Sequence, residues 1–276
     1  MKRIYVTMML LAMIFATISI TACGAADDDV SNGGNIPNGK NGKRLVKTTL
    51  SRDFHTLSDL YDLSFKSISH DSSSIQYTYD EAGRINKIEK TTFNSNNKDT
   101  HTTYSITYYD NSIIRRENGK VVKEYTLNDG LITKMATTNT DLLVEYSVRF
   151  FYENGYCVEK EYPGLILKSI WSNGNIVKME EYSDEGKTLK ELEVIYSNYK
   201  DYNVILLHLM EECEEGIGYF GKYTENLPLR INLNGEEFAT YEWTIQNGII
   251  TKGIIRRRIP LGSSTFDTYT YYFEWE

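Results

Sequence analysis

A short unit recurs along this chain: an Asn-Gly-like or Asp-Gly-like turn, then an apolar pair, then in most copies a lysine. It reads Gly83-Arg84-Ile85-Asn86-Lys87, Asn118-Gly119-Lys120-Val121-Val122-Lys123 and Asp129-Gly130-Leu131-Ile132-Thr133-Lys134. It returns as Asn173-Gly174-Asn175-Ile176-Val177-Lys178 and Asn247-Gly248-Ile249-Ile250-Thr251-Lys252. Looser copies stand at Asn154-Gly155, where Glu159 replaces the usual lysine, and at Glu185-Gly186 and Asn234-Gly235. A type I′ turn needs positive φ at both central residues, which Asn, Asp and Gly adopt at least cost. The runs between turns are rich in Tyr, Val, Ile, Thr and Phe, the strand formers. Glycines 11 to 13 positions apart (119 to 130, 174 to 186, 235 to 248) match consecutive antiparallel strands. The pattern predicts an all-β fold: an antiparallel meander of about a dozen strands, curled into an open barrel or strongly bent sheet.

Alternation along the strands assigns faces. Tyr104, Ile106 and Tyr108 share one side, and Thr103, Ser105 and Thr107 the other. Leu192, Val194 and Tyr196 oppose Glu191, Glu193 and Ser197, with Ile195 the exception. This is the signature of half-buried antiparallel sheet. From Asn175 to Tyr182 the alternation fails: each face mixes apolar and charged residues. A barrel inserted in lipid needs an apolar outer row on every strand. No such rows are present, so the sheet itself is expected to stay out of the bilayer. One segment departs from the β pattern. Asn203 to Glu212 is rich in helix formers, with Asn203 placed as an N-cap, and predicts one short helix packed on the sheet or plugging an open end.

The N-terminus supplies an address. Lys2 and Arg3 precede an apolar run from Ile4 to Ile20, the layout of a secretory signal. Ile20-Thr21-Ala22-Cys23 resembles the lipobox of bacterial lipoproteins. The resemblance implies cleavage before Cys23 and acylation of that residue by palmitate-type chains. Several buried acyl chains anchor durably where one is marginal. Asp27, Asp28 and Asp29 resemble the acidic surface-export signal of Bacteroidota lipoproteins. The chain therefore divides into a signal peptide (1–22), a lipidated and disordered tether (23–43) and a single antiparallel β domain (44–276). The tether is Gly, Asn, Asp and Lys without periodicity, too poor in apolar area to fold. About 20 such residues span about 25 Å.

Charge and residue spacing exclude several chemistries. The net charge is −8, and loss of Lys2 and Arg3 with the signal leaves −10. That balance argues against a nucleic-acid partner, which requires a basic footprint. Arg256-Arg257-Arg258 is read as a solvated strand face with one residue turned aside. Cys157 and Cys213 could pair outside the cytoplasm, but two cysteines give no framework signature. His55, His70, His101 and His208 lack metal-ligand spacing. Gly216-Ile217-Gly218-Tyr219-Phe220-Gly221 matches a dinucleotide motif by letters only, because that motif works between a strand and a helix. No catalytic residue, cofactor or metal is expected.

Tyr77-Thr78-Tyr79-Asp80-Glu81-Ala82-Gly83-Arg84-Ile85 resembles the Y-D-x-x-G-R unit of tyrosine-aspartate repeat proteins, whose hairpins line large β shells. The wider order adds to this: repeated hairpins, an apolar segment, Gly218 to Lys222, Asn226-Leu227-Pro228, then Tyr241-Glu242-Trp243 and Tyr271 to Trp275. With the lipobox, this order is similar to uncharacterised Bacteroidota lipoproteins with a porin-like β fold, a domain of unknown function. The resemblance implies architecture and an outer-membrane, lipid-anchored, surface address. It carries over no functional residue. Two classes of function remain. One is a non-enzymatic binding or adhesion module at the cell surface, with a glycan or protein ligand met by some of the 22 tyrosines. The alternative is a glycan-acting hydrolase using paired carboxylates, drawn from Glu180, Glu181, Glu236, Glu237 and Glu242.

Overall fold

The computed structural model of the chain describes residues 43–55, 68–94, 97–139, 144–200, 219–222, 224–258 and 266–276. These residues form sixteen strands in chain order. They are β1 (Leu45–His55), β2 (Ile68–Tyr79), β3 (Ile85–Asn94), β4 (Asn97–Tyr108), β5 (Ser112–Glu117), β6 (Lys120–Asn128), β7 (Leu131–Asn139) and β8 (Val144–Glu153). There follow β9 (Tyr156–Tyr162), β10 (Leu165–Ser172), β11 (Asn175–Ser183), β12 (Thr188–Lys200), β13 (Asn226–Leu233), β14 (Glu236–Gln246), β15 (Ile249–Arg258) and β16 (Phe266–Trp275). Each strand pairs antiparallel with its sequence neighbours, and β1 pairs with β16 to close the barrel. The expected open barrel or bent sheet is thus corrected to a closed one. Closure rests on Thr48↔Phe273 and its neighbours, reinforced by reciprocal hydrogen bonds between Arg44 and Glu276. It removes the two unpaired edges that an open sheet would present. The helix expected at Asn203 to Glu212 lies outside the described residues, and no helix occurs among those described.

The turns behave as their chemistry requires. Asn118-Gly119, Asp129-Gly130, Asn154-Gly155, Asn173-Gly174, Asn234-Gly235 and Asn247-Gly248 have positive φ at both positions. The barrel has two ends. The proximal end, where the chain enters at Leu45 and leaves at Trp275, carries the turns at Gly83, Gly130, Gly155, Gly174 and Gly248. The distal end carries those at Gly119, Gly164, Gly186 and Gly235.

A bulge follows each proximal entry but one. The register slips between Leu45 and Lys47, Ile85 and Lys87, Ile132 and Lys134, Cys157 and Glu159, Ile176 and Lys178, Pro228 and Arg230, and Ile250 and Lys252. A bulged residue disrupts the ladder locally, so the carbonyl before it needs another donor. An aromatic side chain from the next strand supplies one at all seven sites. Tyr79, Tyr108, Tyr152 and Tyr196 donate their hydroxyls to the carbonyls of Leu45, Ile85, Ile132 and Ile176, at 2.6, 2.8, 2.7 and 2.8 Å. Trp171, Trp243 and Trp275 donate Nε1–H to those of Cys157, Pro228 and Ile250, at 3.0, 2.7 and 2.8 Å. The exception is β5, which pairs with β4 without a slip; Leu127, which has no donor, stands at the corresponding place on β6. Burial pushes the phenols of Tyr79, Tyr108 and Tyr152 above their ordinary range, which keeps them protonated as donors.

The bulge also resolves the mixed strands. Ile176 and Met179 both face the interior because Val177 is the extra residue between them, so strict alternation fails across β11. The hydrophobic core lies inside the barrel. Leu45, Ile85, Ile113, Ile132, Cys157, Ile176, Leu227 and Ile250, the first inward residues of the odd strands, are all buried and ring the proximal end. Many outward residues are charged and paired. Lys47 meets Glu274 at 2.6 Å, Lys178 meets Glu180 at 2.9 Å and Glu191 at 2.7 Å, and Arg149 pairs with Glu161. At Glu159 the charge is reversed and so is its partner, Lys168, at 3.3 Å.

Tyr152→Phe and Tyr196→Phe each remove one aromatic donor and leave a bulge carbonyl unsatisfied. Each should lower unfolding stability by about 1–2 kcal/mol in urea titration. The sites lie four strands apart, so the double variant should show the sum of the two losses. No change in either single variant would mean that the aromatic bonds contribute packing only.

Candidate functional site

Inside the barrel, residue type changes along the axis. The proximal third is aliphatic and aromatic. Tyr125 is fully buried on β6, and Phe150 and Met135 pack beside it. Sixteen strands make a barrel wide enough to leave an aqueous channel, but here a strap of chain crosses the proximal mouth. Tyr219 accepts from Ile132 N at 2.9 Å, Lys222 N donates to Gly155 O at 2.7 Å, and Glu225 N donates to Gly174 O at 2.9 Å. Phe220 reaches inward, with its ring 6.1 Å from Tyr125 and 5.3 Å from Phe150. Gly221 must be glycine here: φ is +86°, and a Cβ would sit 2.4 Å from Gly155 O. Asn175 Oδ1 accepts from the amides of Glu225 and Asn226, both at 2.9 Å, and leads the strap into β13.

Toward the distal end the interior becomes polar. Arg52 and Arg257 flank the buried carboxylate of Asp267 at 3.5 and 3.7 Å. Both guanidinium groups lie over the ring of Tyr269, at 5.1 and 5.0 Å, and Arg257 also hydrogen-bonds its hydroxyl. Asp71 stands opposite Arg52 in the β1–β2 register, and Ser73, two residues on, is buried. On β5, Arg115 lies 4.1 Å from the Tyr104 ring and opposes Lys123 in the β5–β6 register; both are buried. Glu181 and Lys190 oppose one another across β11 and β12. Glu181 is 3% exposed, and the Lys190 ammonium is buried without a hydrogen bond. Burial raises the Glu181 carboxyl above its usual value, partly offset by Lys190, and burial lowers Lys190, partly offset by Glu181.

The carboxylates considered for hydrolysis do not converge. Glu180 points outward, bonded to Tyr182 at 2.6 Å and to Lys178, while its neighbour Glu181 points inward. Glu237 and Glu242 pair with Arg258 and Arg256 on the outer wall, and Glu236 is exposed. Arg256 and Arg258 thus flank Arg257, which turns inward to Asp267. Among the described residues no group of three or more His, Cys, Asp or Glu could hold a metal ion. His101 bonds Thr91 at 3.0 Å. Cys157 is a buried free thiol whose ionisation burial disfavours. Gly221 leads into a strand, not a helix, as the rejection of the dinucleotide motif expected. Cys23, Asp27, Asp28, Asp29, His208 and Cys213 lie outside the described residues. The cluster of Arg52, Arg257, Asp267 and Tyr269 escaped the sequence reading, although alternation of β15 against Ile255 marks Arg257 as inward.

No protein-family profile and no curated protein sequence matches this chain. Among solved structures, the chain is similar to a porin-like protein from Bacteroides uniformis ATCC 8492. The match has a TM-score of 0.63 and 16% identity over 84% of this chain and 98% of that one. A porin-like protein from Bacteroides vulgatus ATCC 8482 aligns over the same shares with a TM-score of 0.46 and 10% identity. The first shares the fold, so the resemblance to porin-like β proteins of the Bacteroidota holds at the level of architecture.

Glu181 holds its proton more tightly when folded than when unfolded. Its contribution to stability is full below the ordinary glutamate value and is lost as pH rises through the raised one. Glu181→Gln removes this loss. In urea titrations between pH 4.5 and 8, the variant should therefore gain on the parent as pH rises. A constant offset across that range would count against a raised carboxyl.

Proposed function

We propose that this chain is an outer-membrane lipoprotein whose barrel stands in water at the cell surface. There it acts as a non-enzymatic binding or adhesion module for a glycan or protein ligand. The observation that carries the reading is the polarity of the barrel. Its apolar core lies inside, and its outer wall carries Lys47–Glu274, Lys168–Glu159, Lys178–Glu191 and Arg256–Glu242. On a lipid-facing wall, each lysine or arginine near the bilayer midplane costs about 2–4 kcal/mol. A barrel so charged is stable only in water, and its attachment falls to the acyl chains of Cys23. The acidic residues Asp27, Asp28 and Asp29 supply a sorting tag, which a receptor reads and which contributes nothing to anchoring. The ligand-binding region is the distal interior, where Arg52, Arg257, Asp267 and Tyr269 combine donors, an acceptor and a ring face.

Two variants separate anchor from address. Cys23→Ala should move the protein from the detergent phase to the aqueous phase in Triton partitioning; retention in the detergent phase would refute the lipid anchor. Changing Asp27, Asp28 and Asp29 together to alanine should keep the protein in the detergent phase but protect it from protease shaving of intact cells. Equal shaving of variant and parent would reduce the triplet to a solvated start of the tether. For the binding role, the solubilised lipoprotein should give discrete hits on a glycan array that Arg257→Ala and Tyr269→Ala abolish. Hits unaffected by both changes would place recognition elsewhere.

A further inference from the structure

Large apolar side chains that remain exposed on the outer wall are not spread evenly. Among the described residues, Tyr109, Phe151, Ile170, Ile195, Tyr199, Leu229 and Tyr272 lie in the proximal half, each at least 38% exposed, against Phe93, Val121 and Leu189 at the distal end. Their positions follow from the strands. Phe151 lies between the inward residues Phe150 and Tyr152 near the end of β8, and Ile170 precedes the inward Trp171 at the end of β10. Ile195 and Tyr199 stand in the second half of β12, and Leu229 is the bulged residue of β13 beside Ile195. Val158 and Val177, the bulged residues of β9 and β11, fill the gaps beside Phe151 and Ile170. The result is a staggered apolar band across β8 to β13 that tracks the proximal rim.

The bulges are what create this band. At β9, β11 and β13 the extra residue takes an outward or sideways position close to the mouth, and in each case it is apolar: Val158, Val177 and Leu229. The paired charges Glu159 and Lys178 stand opposite Phe151 and Ile170 in the register, and their partners Lys168 and Glu191 lie further from the rim. Cations flank the band on both sides. Arg149, two residues further from the rim on β8, lies 5.9 Å from the Phe151 ring; on the proximal side Lys222 of the strap lies 5.0 Å from Tyr156, and Lys200 follows Tyr199 directly. Aromatic and aliphatic side chains flanked by lysine and arginine suit the boundary between acyl chains and headgroups, where the stem or ring is buried and the charged tip stays wet.

We infer that the proximal rim, from β8 to β13, is the face that rests on the lipid surface. The tether argues for lipid over a protein partner at this face. The described chain begins at the proximal end, beside the Arg44–Glu276 pair, and a tether of about 20 residues has a mean span of about 25 Å. The same end holds the strap and the inner apolar ring, so lipid contact there leaves the polar distal interior free. The polar distal interior is then turned away from the membrane, toward whatever the cell meets. This inference rests on the lipoprotein reading, because only the acyl anchor brings the rim to the bilayer.

The test uses the full lipidated protein on mixed phosphatidylethanolamine and phosphatidylglycerol vesicles. Amine labelling should slow several-fold at Lys200 and Lys222 relative to the protein in detergent. Lys120 and Lys187, at the distal turns, should label at the same rate in both. Ile195→Glu combined with Leu229→Glu should restore labelling of Lys200 and Lys222 while the protein still floats with the vesicles. Uniform labelling of a floating parent, or slowing at Lys120 and Lys187 instead, overturns the orientation. A parent that does not float with vesicles at all overturns the anchor and not the rim.

Discussion

The barrel depends on one local event repeated around its proximal end: a bulge that frees a carbonyl, and an aromatic donor from the next strand that satisfies it. The bulge bends and twists its strand more than a regular ladder would, which is how a long meander curls enough to meet itself. The freed carbonyls of Leu45, Ile85, Ile132, Cys157, Ile176, Pro228 and Ile250 face an interior where an unpaired polar group is costly. A tyrosine or tryptophan closes each one and fills barrel volume with the same side chain. Phenylalanine would fill the space and leave the carbonyl unpaired. Proline is tolerated at position 228 for the same reason: it has no N–H to lose and still offers a carbonyl, which Trp243 uses. Where β5 has no bulge, it has no freed carbonyl, and Leu127 suffices on β6.

This device also sets the polarity of the wall. One extra residue flips the phase of alternation, so the residue before the bulge and the residue three positions on both face inward, as Ile85 and Ile88 do. The position between them that faces water is where the repeated lysine stands, as at Lys87, Lys134, Lys178 and Lys252. Exposed ion pairs of this kind add little to stability individually. Their larger consequence is for the proposed setting: lysine and arginine on the outer wall are costly against lipid and suit a barrel standing in water.

Closing the proximal mouth required more than strands. The strap seats Phe220 against Tyr125 and Phe150 and relies on glycine at 221 to pass the Gly155 carbonyl. With that end filled, the buried charges are confined to the middle and distal interior. The Arg52–Asp267–Arg257 group is held together by pairing and by the face of Tyr269, which offsets the cost of removing three charges from water.

The turns, the strands and the antiparallel order were legible in the sequence, because Asn-Gly turns and β-branched runs act over a few residues. The inward faces of β4 and β12 were legible for the same reason, and Ile195 was correctly singled out as the exception. The recurring lysine was visible too, but not its meaning. The unit at Gly174 and the unit at Gly119 look alike in sequence, yet they lie at opposite ends of the barrel. The bulges were hidden because a bulge is defined by the residue on the facing strand. That partner is 5 residues away for Ile176, which faces Trp171, and 230 for Leu45, which faces Trp275.

 

Closure, the strap and the buried charge cluster were likewise out of reach, since each joins segments far apart in the chain. What the sequence alone determined about this protein is therefore local: where the chain turns, which runs extend, and an N-terminus read as carrying an address. What only the tertiary structure decided is which residue is surplus in each strand, which mouth is filled and which charges meet inside. Those depend on the pairing of distant strands, and pairing is settled by the whole barrel at once.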